Sequence, residues 1–305
     1  PTDSTITTTT HCAVDSVVST MALRLATLRA AFQASKRLSR TSVPSLSRLN
    51  PLVRSMASMA AGNALQELAE QHPTMDAIRY DWKNVKWTFE HVDYFSDALA
   101  TGIVEAGIAP GDVVLSWLPQ HFSEQLIIQF ACSKAGLILY SLDPAQAITD
   151  PEGAKASLAR ALEVTQANIL FTQEAGDDTN YFRLCTELMP EIRIFNFGDG
   201  MPFISPRFPH LRFPIHTGFD CMNKHGMVHL KQMLVPSGEL SNLLEGFVPT
   251  GSTPLMGELV QGKDGLPTKG KILTNDEVIK TNAWPTFNAI LKKEYLDIPG
   301  VGVIF

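Results

Sequence analysis

The segment that restricts the fold most is a strand–helix–strand pattern over residues 113–142. Val113–Leu118 is a mostly apolar run of strand length, as expected of a parallel strand that is covered on both faces. Ser123 is placed to cap a helix that ends at Gly136, and Leu137–Leu142 has the composition of a second strand. Two strands joined by one helix at this spacing form a βαβ crossover, so the pattern predicts a doubly wound α/β layer.

Further helices and strands are predicted on both sides of this crossover. Asn63 is expected to cap a helix, another helix is expected to begin at Thr88, and Thr274 and Glu277 have the spacing of a capping box. Helices are therefore predicted at residues 63–71, 88–106, 226–234 and 275–293. Strands are predicted at residues 77–80, 85–89, 168–172, 192–197, 211–218 and 302–305.

Residues 1–62 differ in charge from residues 63–305. They contain seven basic and two acidic residues, whereas the remainder contains 18 basic and 29 acidic ones. A cationic segment rich in Arg, Ser and Ala is typical of a mitochondrial targeting sequence, which predicts a location on the matrix side. The alternatives are a basic disordered arm and a helix that lies on a membrane surface. The basic residues are Arg24, Arg29, Lys36, Arg37, Arg40, Arg48 and Arg54.

Composition excludes several classes of function for residues 63–305. Binding of nucleic acid is not expected, because it needs clustered Lys and Arg to neutralise phosphates and this part of the chain is acidic. No metal is expected either, since the histidines of residues 203–229 lack cysteine or carboxylate partners at metal-binding spacing. No apolar run approaches the roughly 18 residues of a transmembrane helix. The cysteines lack paired spacing, and they are Cys12, Cys132, Cys185 and Cys221.

Short sequence features of residues 80–144 occur in an order that resembles the front part of the adenylate-forming enzymes, the acyl-CoA synthetase and AMP-binding superfamily. These features are Trp87-Thr88-Phe89, Ala106-Gly107-Ile108, Pro110-Gly111-Asp112-Val113-Val114, Leu118-Pro119, Lys134-Ala135-Gly136 and Ser141-Leu142-Asp143-Pro144. The resemblance covers residues 63–305. It implies an AMP-binding-like α/β domain with a doubly wound, mixed or parallel sheet flanked by helices, like the N-terminal half of acyl-CoA synthetases.

The stretch Val260–Gly270 lies where active relatives carry a phosphate-binding loop before a strand and a helix. The residues that match this pattern are Gly262, Gly265, Pro267, Lys269 and Gly270. Glycine amides and a lysine ammonium would be the groups that bind a polyphosphate. However, Asp264 replaces a small or hydroxylated residue, and Thr268 is inserted before the lysine. Because a carboxylate repels phosphate, the loop is predicted to be vestigial, with nucleotide binding weak or absent.

The resemblance therefore predicts no catalytic residue and no cofactor. It covers about the first half of a family member, and the expected adenine pocket, acidic magnesium ligands and catalytic lysine of a C-terminal domain are not identified in these residues. The predicted function is a catalytically inactive, structural or accessory subunit whose partners are other protein subunits of a mitochondrial complex, such as a respiratory-chain complex or ATP synthase.

Two alternatives remain open. One is half of an active acyl-CoA synthetase that binds ATP or AMP and is completed by a separate chain. The other is a non-catalytic module that binds an acyl group or CoA. A truncated sheet would leave an unpaired edge and an apolar face for a partner subunit to cover. This favours the accessory-subunit interpretation over both alternatives and predicts that residues 274–305 lie at or near an interface.

Overall fold

The computed structural model of the protein describes residues 59–176, 179–197, 203–218, 226–236 and 240–299. The predicted N-terminal arm up to residue 58 and the predicted strand at residues 302–305 lie outside these ranges. Cys132 and Cys185 are buried free thiols. None of the described helices is long and apolar enough to cross a bilayer.

Helices and strands are interspersed along the described part of the chain. The helices are α1 (Ala61–Gln71), α2 (Phe89–Glu105), α3 (Ser123–Ala135), α4 (Gln146–Thr149), α5 (Pro151–Thr165), α6 (Tyr181–Leu188), α7 (Leu240–Leu243), α8 (Asn275–Thr281) and α9 (Pro285–Leu291). The strands are β1 (Asp76–Tyr80), β2 (Val85–Thr88), β3 (Val113–Trp117), β4 (Ile138–Ser141), β5 (Ile169–Thr172), β6 (Phe213–His216), β7 (Val228–His229), β8 (Pro254–Gln261), β9 (Pro267–Thr274) and β10 (Leu296–Ile298).

The predicted α/β layer is confirmed as a seven-stranded sheet within the described residues. Its strands follow the order β7-β6-β5-β3-β4-β8-β9, and all neighbours are parallel except β8 and β9, which form an antiparallel hairpin. Strands β3 and β4 are adjacent, so the predicted βαβ crossover through α3 is present. A smaller sheet pairs β1 with β2 in antiparallel and with β10 in parallel orientation.

Helices cover both faces of the large sheet, which explains the apolar run in β3. On one face Val114 and Leu139 belong to a core that includes residues of α1, α2, α3 and α9, where the rings of Phe130 and Phe287 stack at 4.2 Å. On the other face Leu115 and Trp117 pack with residues of α5 and α6. This arrangement is that of a doubly wound, mixed sheet.

Two predicted caps are corrected by the structure. Helix α1 begins at Ala61 rather than at Asn63, because its first amides are satisfied by distant side chains: Ala61 donates to Asn275 Oδ1 and Gly62 donates to Ser133 Oγ. Ser123 is the first residue of α3 and makes no cap, since its hydroxyl accepts a hydrogen bond from Lys83 and donates one to Glu124.

Three predicted elements also differ from the structure. Residues 192–197 form no strand, because the 3₁₀ turn Pro190–Arg193 begins at a proline. Residues 226–234 contain strand β7 and the 3₁₀ turn Leu230–Met233 in place of a helix. The helix predicted over 275–293 is divided into α8 and α9, with Asn282 in the left-handed region, because Pro285 disfavours helical backbone in the residue before it.

Candidate functional site

The stretch predicted to be a phosphate loop is the tight turn between β8 and β9. The backbone amide of Gly262 donates to the carbonyl oxygen of Leu266 at 2.8 Å, and the amide of Gly265 donates back to the carbonyl oxygen of Gly262 at 3.1 Å. Gly265 has a φ of +78°, in the left-handed region that glycine favours. This pattern is typical of a three-residue hairpin loop that ends in a left-handed glycine.

The carboxylate of Asp264 completes the hydrogen bonding of this turn. Its Oδ1 atom accepts from the backbone amide of Leu266 at 3.2 Å. The amides of Gly262, Gly265 and Leu266 are therefore all directed at acceptors inside the turn. A phosphate-binding loop needs such amides to point at the ligand, so the turn offers few of its donors to an anion.

Lys269 lies in β9, where it pairs with Leu259 of β8 rather than forming part of the turn. Its Nζ atom is 5.8 Å from the centre of the Tyr140 ring, within cation–π range. Tyr140 is buried, its hydroxyl has no hydrogen-bond partner among the described residues, and burial raises the pKa of that hydroxyl. The ring of Tyr140 lies against Gly257 so closely that a Cβ atom there would be 2.1 Å from Cζ.

At two of the predicted glycines, a side chain would clash with neighbouring atoms of the hairpin, so packing explains why glycine is present without any ligand. A Cβ atom on Gly262 would lie 2.7 Å from Oδ1 of Asp264, and one on Gly270 would lie 2.6 Å from Cγ2 of Val260. Gly262 and Gly265 are thus brought together in the turn, whereas Lys269 and Gly270 lie on the strand that follows it. These four residues are part of a hairpin whose geometry is explained by its own contacts.

The histidines at the ends of β6 and β7 form a buried pair. The rings of His216 and His229 are 5.0 Å apart. His229 Nδ1 accepts from the amide of Lys231, which leaves Nε2 to donate to the carbonyl oxygen of Gly218 at 2.6 Å. Both ring nitrogens of His229 are therefore used, and the described residues contain no group of His, Cys, Asp and Glu that could hold a metal ion.

A second feature, which the sequence did not reveal, is a cavity of about 520 Å³ beside β8. It is bounded by β8, the end of β4, α3 and the segment that leads into α9. Glu258, Gln129, Ser141 and Trp284 contribute to its walls. Because these residues come from four separate segments, no local sequence signal connects them.

Residues 65–194 match the family model described as "AMP-binding enzyme". The chain is 26% identical over 227 residues to "Putative acyl-CoA synthetase YngI" of Bacillus subtilis (strain 168), which covers 73% of this chain and 38% of that protein. It is 25% identical over 236 residues to "Medium-chain acyl-CoA ligase ACSF2, mitochondrial" of Danio rerio, covering 76% of this chain and 36% of that protein. The chain thus spans less than two-fifths of the length of these curated relatives.

Solved structures with the same fold include two enzymes. Acetoacetyl-CoA synthetase from Streptomyces lividans superimposes with a TM-score of 0.59 at 14% identity. The match covers 79% of this chain and 38% of the synthetase chain. The luciferase-like enzyme from the nonluminescent mealworm Zophobas morio has a TM-score of 0.57 at 14% identity, with 83% of this chain and 56% of its own matched. At such low identity the likeness establishes the fold alone.

Proposed function

Because residues 65–194 match the AMP-binding enzymes and the chain is acyl-CoA-synthetase-like, we propose that it is a non-catalytic derivative that acts as an accessory protein in a mitochondrial assembly. The observation that carries this proposal is the turn between β8 and β9. Three of its amides are committed to acceptors within the turn, and one of those acceptors is the carboxylate of Asp264.

The charge of Asp264 adds to this geometric argument. A phosphate oxygen that approached the turn to about 4 Å from the carboxylate would meet a repulsion of roughly 4 kcal/mol at an effective dielectric constant of about 20. To free the amide of Leu266 for a phosphate, the hydrogen bond from that amide to Asp264 would also have to break. Both effects oppose nucleotide binding at the place where the family pattern requires it.

The edge of the large sheet supports the accessory role. Strand β9 is the last strand on its side of the sheet among the described residues, so one side of its backbone is unpaired there. Val260 and Ile272 on the hairpin are 50% and 45% exposed. An unpaired edge with exposed apolar side chains favours pairing with another protein, and on this proposal partner subunits cover it.

The mitochondrial location rests on two independent observations. Residues 1–62 have the basic, Arg- and Ser-rich composition of a targeting sequence. One of the relatives is named as a mitochondrial ligase. We place the protein on the matrix side, with protein subunits as partners and no nucleic acid.

An acid-dependent ATP–pyrophosphate exchange assay on the purified full chain tests the catalytic part of the proposal. We expect no exchange above background with acetate, hexanoate or decanoate, and no fluorescence change of a labelled ATP analogue on addition of the protein. ATP–pyrophosphate exchange that disappears in Lys269→Ala and persists in Lys292→Ala would overturn the non-catalytic assignment, since Lys292 is an exposed lysine after α9.

The accessory role is tested separately on native gels of mitochondrial extracts, where the protein should migrate in a large complex. Migration as a free monomer would contradict it.

One observation favours an alternative, an active acyl-CoA ligase to which this chain contributes one part. Lys269 makes no ion pair with any described residue, so its ammonium remains available to a phosphate. The relatives are named as an acyl-CoA synthetase and a medium-chain acyl-CoA ligase, which points to fatty acids as the substrate class. The Lys269→Ala exchange assay separates this alternative from the proposal. A thermal shift with CoA esters in the absence of exchange would indicate a non-catalytic CoA-binding module.

A further inference from the structure

The cavity beside β8 has the size of a small-molecule site. Its volume of about 520 Å³ lies in the range of roughly 300–1,000 Å³ that is common for ligand pockets. Its walls do not include the β8–β9 turn residues 262–266, but they include Val260, the first residue of the predicted phosphate loop, so the cavity adjoins that loop. What it binds depends on the chemistry of its lining.

Glu258 gives the cavity a negative charge. It is the one ionisable side chain among the described residues that line the cavity. Glu258 is half-buried and makes no hydrogen bond or ion pair with the side chains that the structure describes. A carboxylate that is partly removed from water and lacks a cation favours a positively charged ligand and repels carboxylates and phosphates.

The polar wall next to β4 adds a hydrogen-bond donor. The Ser141 hydroxyl accepts from Nε2 of Gln125 at 3.2 Å, and Oε1 of the buried Gln125 accepts from Ser116. This chain of hydrogen bonds fixes Ser141 as an acceptor from Gln125, which leaves its own proton free for a ligand. On the neighbouring wall, Nε2 of Gln129 donates to Oε1 of Gln120 at 3.4 Å.

The rest of the lining is largely apolar. Met256 lies on one side and Trp284 on another, and the Trp284 ring is held edge-on to Phe287 with 5.4 Å between ring centres. Trp284 is almost fully buried by the protein, so its position is well fixed. An aromatic ring near an acidic group suits a ligand that has both a hydrophobic body and a cationic end.

We propose that this cavity binds a small hydrophobic amine, with the ammonium group paired to Glu258 and the apolar body against Met256 and Trp284. This ligand class has the opposite charge to a fatty acid or a nucleotide. The proposal does not depend on the accessory role, because it involves none of the residues of the turn.

The test uses three probes that share one body and differ in charge: 3-phenylpropylammonium, 3-phenylpropanol and 3-phenylpropanoate. Each is titrated calorimetrically into the full chain at low and high salt. We expect 3-phenylpropylammonium to bind most tightly and its affinity to fall at high salt, because the charge pair is partly exposed to solvent. Tighter binding of 3-phenylpropanoate, equal binding of all three probes, or no binding of 3-phenylpropylammonium would overturn the proposal.

Variants identify the group responsible. Glu258→Gln keeps the size of the side chain and removes its charge. It should therefore lower the affinity for 3-phenylpropylammonium about tenfold or more and leave the affinity for 3-phenylpropanol unchanged. The control is Glu105→Gln, which removes an exposed carboxylate at the end of α2 and should change neither affinity. If Glu258→Gln leaves the affinity for 3-phenylpropylammonium unaltered, the assignment to this cavity is wrong.

Discussion

The ammonium group of Lys134 lies 2.8 Å from a carboxylate oxygen of Asp93, and only 4% of the Lys134 side chain is exposed. Asp97, one turn further along α2, lies 3.2 Å from the same ammonium. Lys134 is on α3, so these contacts join the two helices on one face of the large sheet. The lysine that the sequence presents as part of a family pattern therefore has a structural role in the core.

Replacing Lys134 by Met should lower the free energy of unfolding by up to about 3 kcal/mol near neutral pH, because the half-buried Asp93 would be left without its cation. Burial already raises the pKa of the Asp93 carboxyl, which the charge of Lys134 partly offsets. With a native pKa above the unfolded value, stability declines as pH rises between the two values. Loss of Lys134 widens that interval, so the variant should be less destabilised near pH 5 than near pH 7.

Urea unfolding at the two pH values measures this effect. Lys280→Met is the matched control, since Lys280 is exposed and lies 3.8 Å from Asp276, and it should cost less than about 1 kcal/mol at either pH. Equal destabilisation by the two variants would mean that the buried ion pair contributes nothing beyond a surface one.

The sequence predicted elements whose ends are determined by their own residues. Thr274 and Glu277 form the expected capping box, Thr88 caps α2, and Gly136 ends α3 in the left-handed region. In each case the residue that gives the sequence signal lies within a few residues of the helix end that it determines. A loop was predicted over residues 260–270, but strand β8 was not predicted, and residues 260, 261 and 267–270 of that stretch lie in strands β8 and β9.

Elements that depend on distant contacts were not predictable in this way. Ser123 has the residue type of a cap, yet its hydroxyl bonds to Lys83, which lies forty positions earlier in the chain. The cavity beside β8 combines Gln129, Ser141, Glu258 and Trp284, and only the fold brings them together. Pro285 did carry a usable local signal, since the residue before a proline is disfavoured in a helix.

Gly257→Ala should destabilise the protein by roughly 1–3 kcal/mol, because the new methyl group would overlap the buried ring of Tyr140. Thermal or urea unfolding measures the change. In a Tyr140→Leu background the same substitution should cost clearly less, since the ring that it meets is gone. Additive costs in the double variant would show that the clash with Tyr140 is not the cause.

Gly265→Ala should cost about 1–2 kcal/mol through backbone strain alone, because the residue has a φ of +78° and the nearest atom to an added Cβ is 4.0 Å away. Gly265→Asn is the informative comparison, as Asn tolerates the left-handed region better than Ala does. Unfolding free energies should therefore follow the order Gly, Asn, Ala. An Asn variant less stable than the Ala variant would argue for a steric cause instead of a conformational one.

Asn275 and Asn63 provide the final test, because sequence and structure assign the start of α1 differently. The structure places Oδ1 of the buried Asn275 3.1 Å from the amide of Ala61 and 2.7 Å from Oγ of Ser133, while Nδ2 donates to the carbonyl oxygen of Thr253. Asn275→Ala would leave these buried groups unsatisfied and should cost about 3 kcal/mol. Asn63→Ala removes a side chain whose amide makes a long hydrogen bond of 3.4 Å to the carbonyl oxygen of Pro249, so it should cost less than about 1 kcal/mol. Urea unfolding of both variants measures the two costs. A larger loss of unfolding free energy in Asn275→Ala supports a helix whose first turn is held by the segment after β9. A larger loss in Asn63→Ala would favour the local cap.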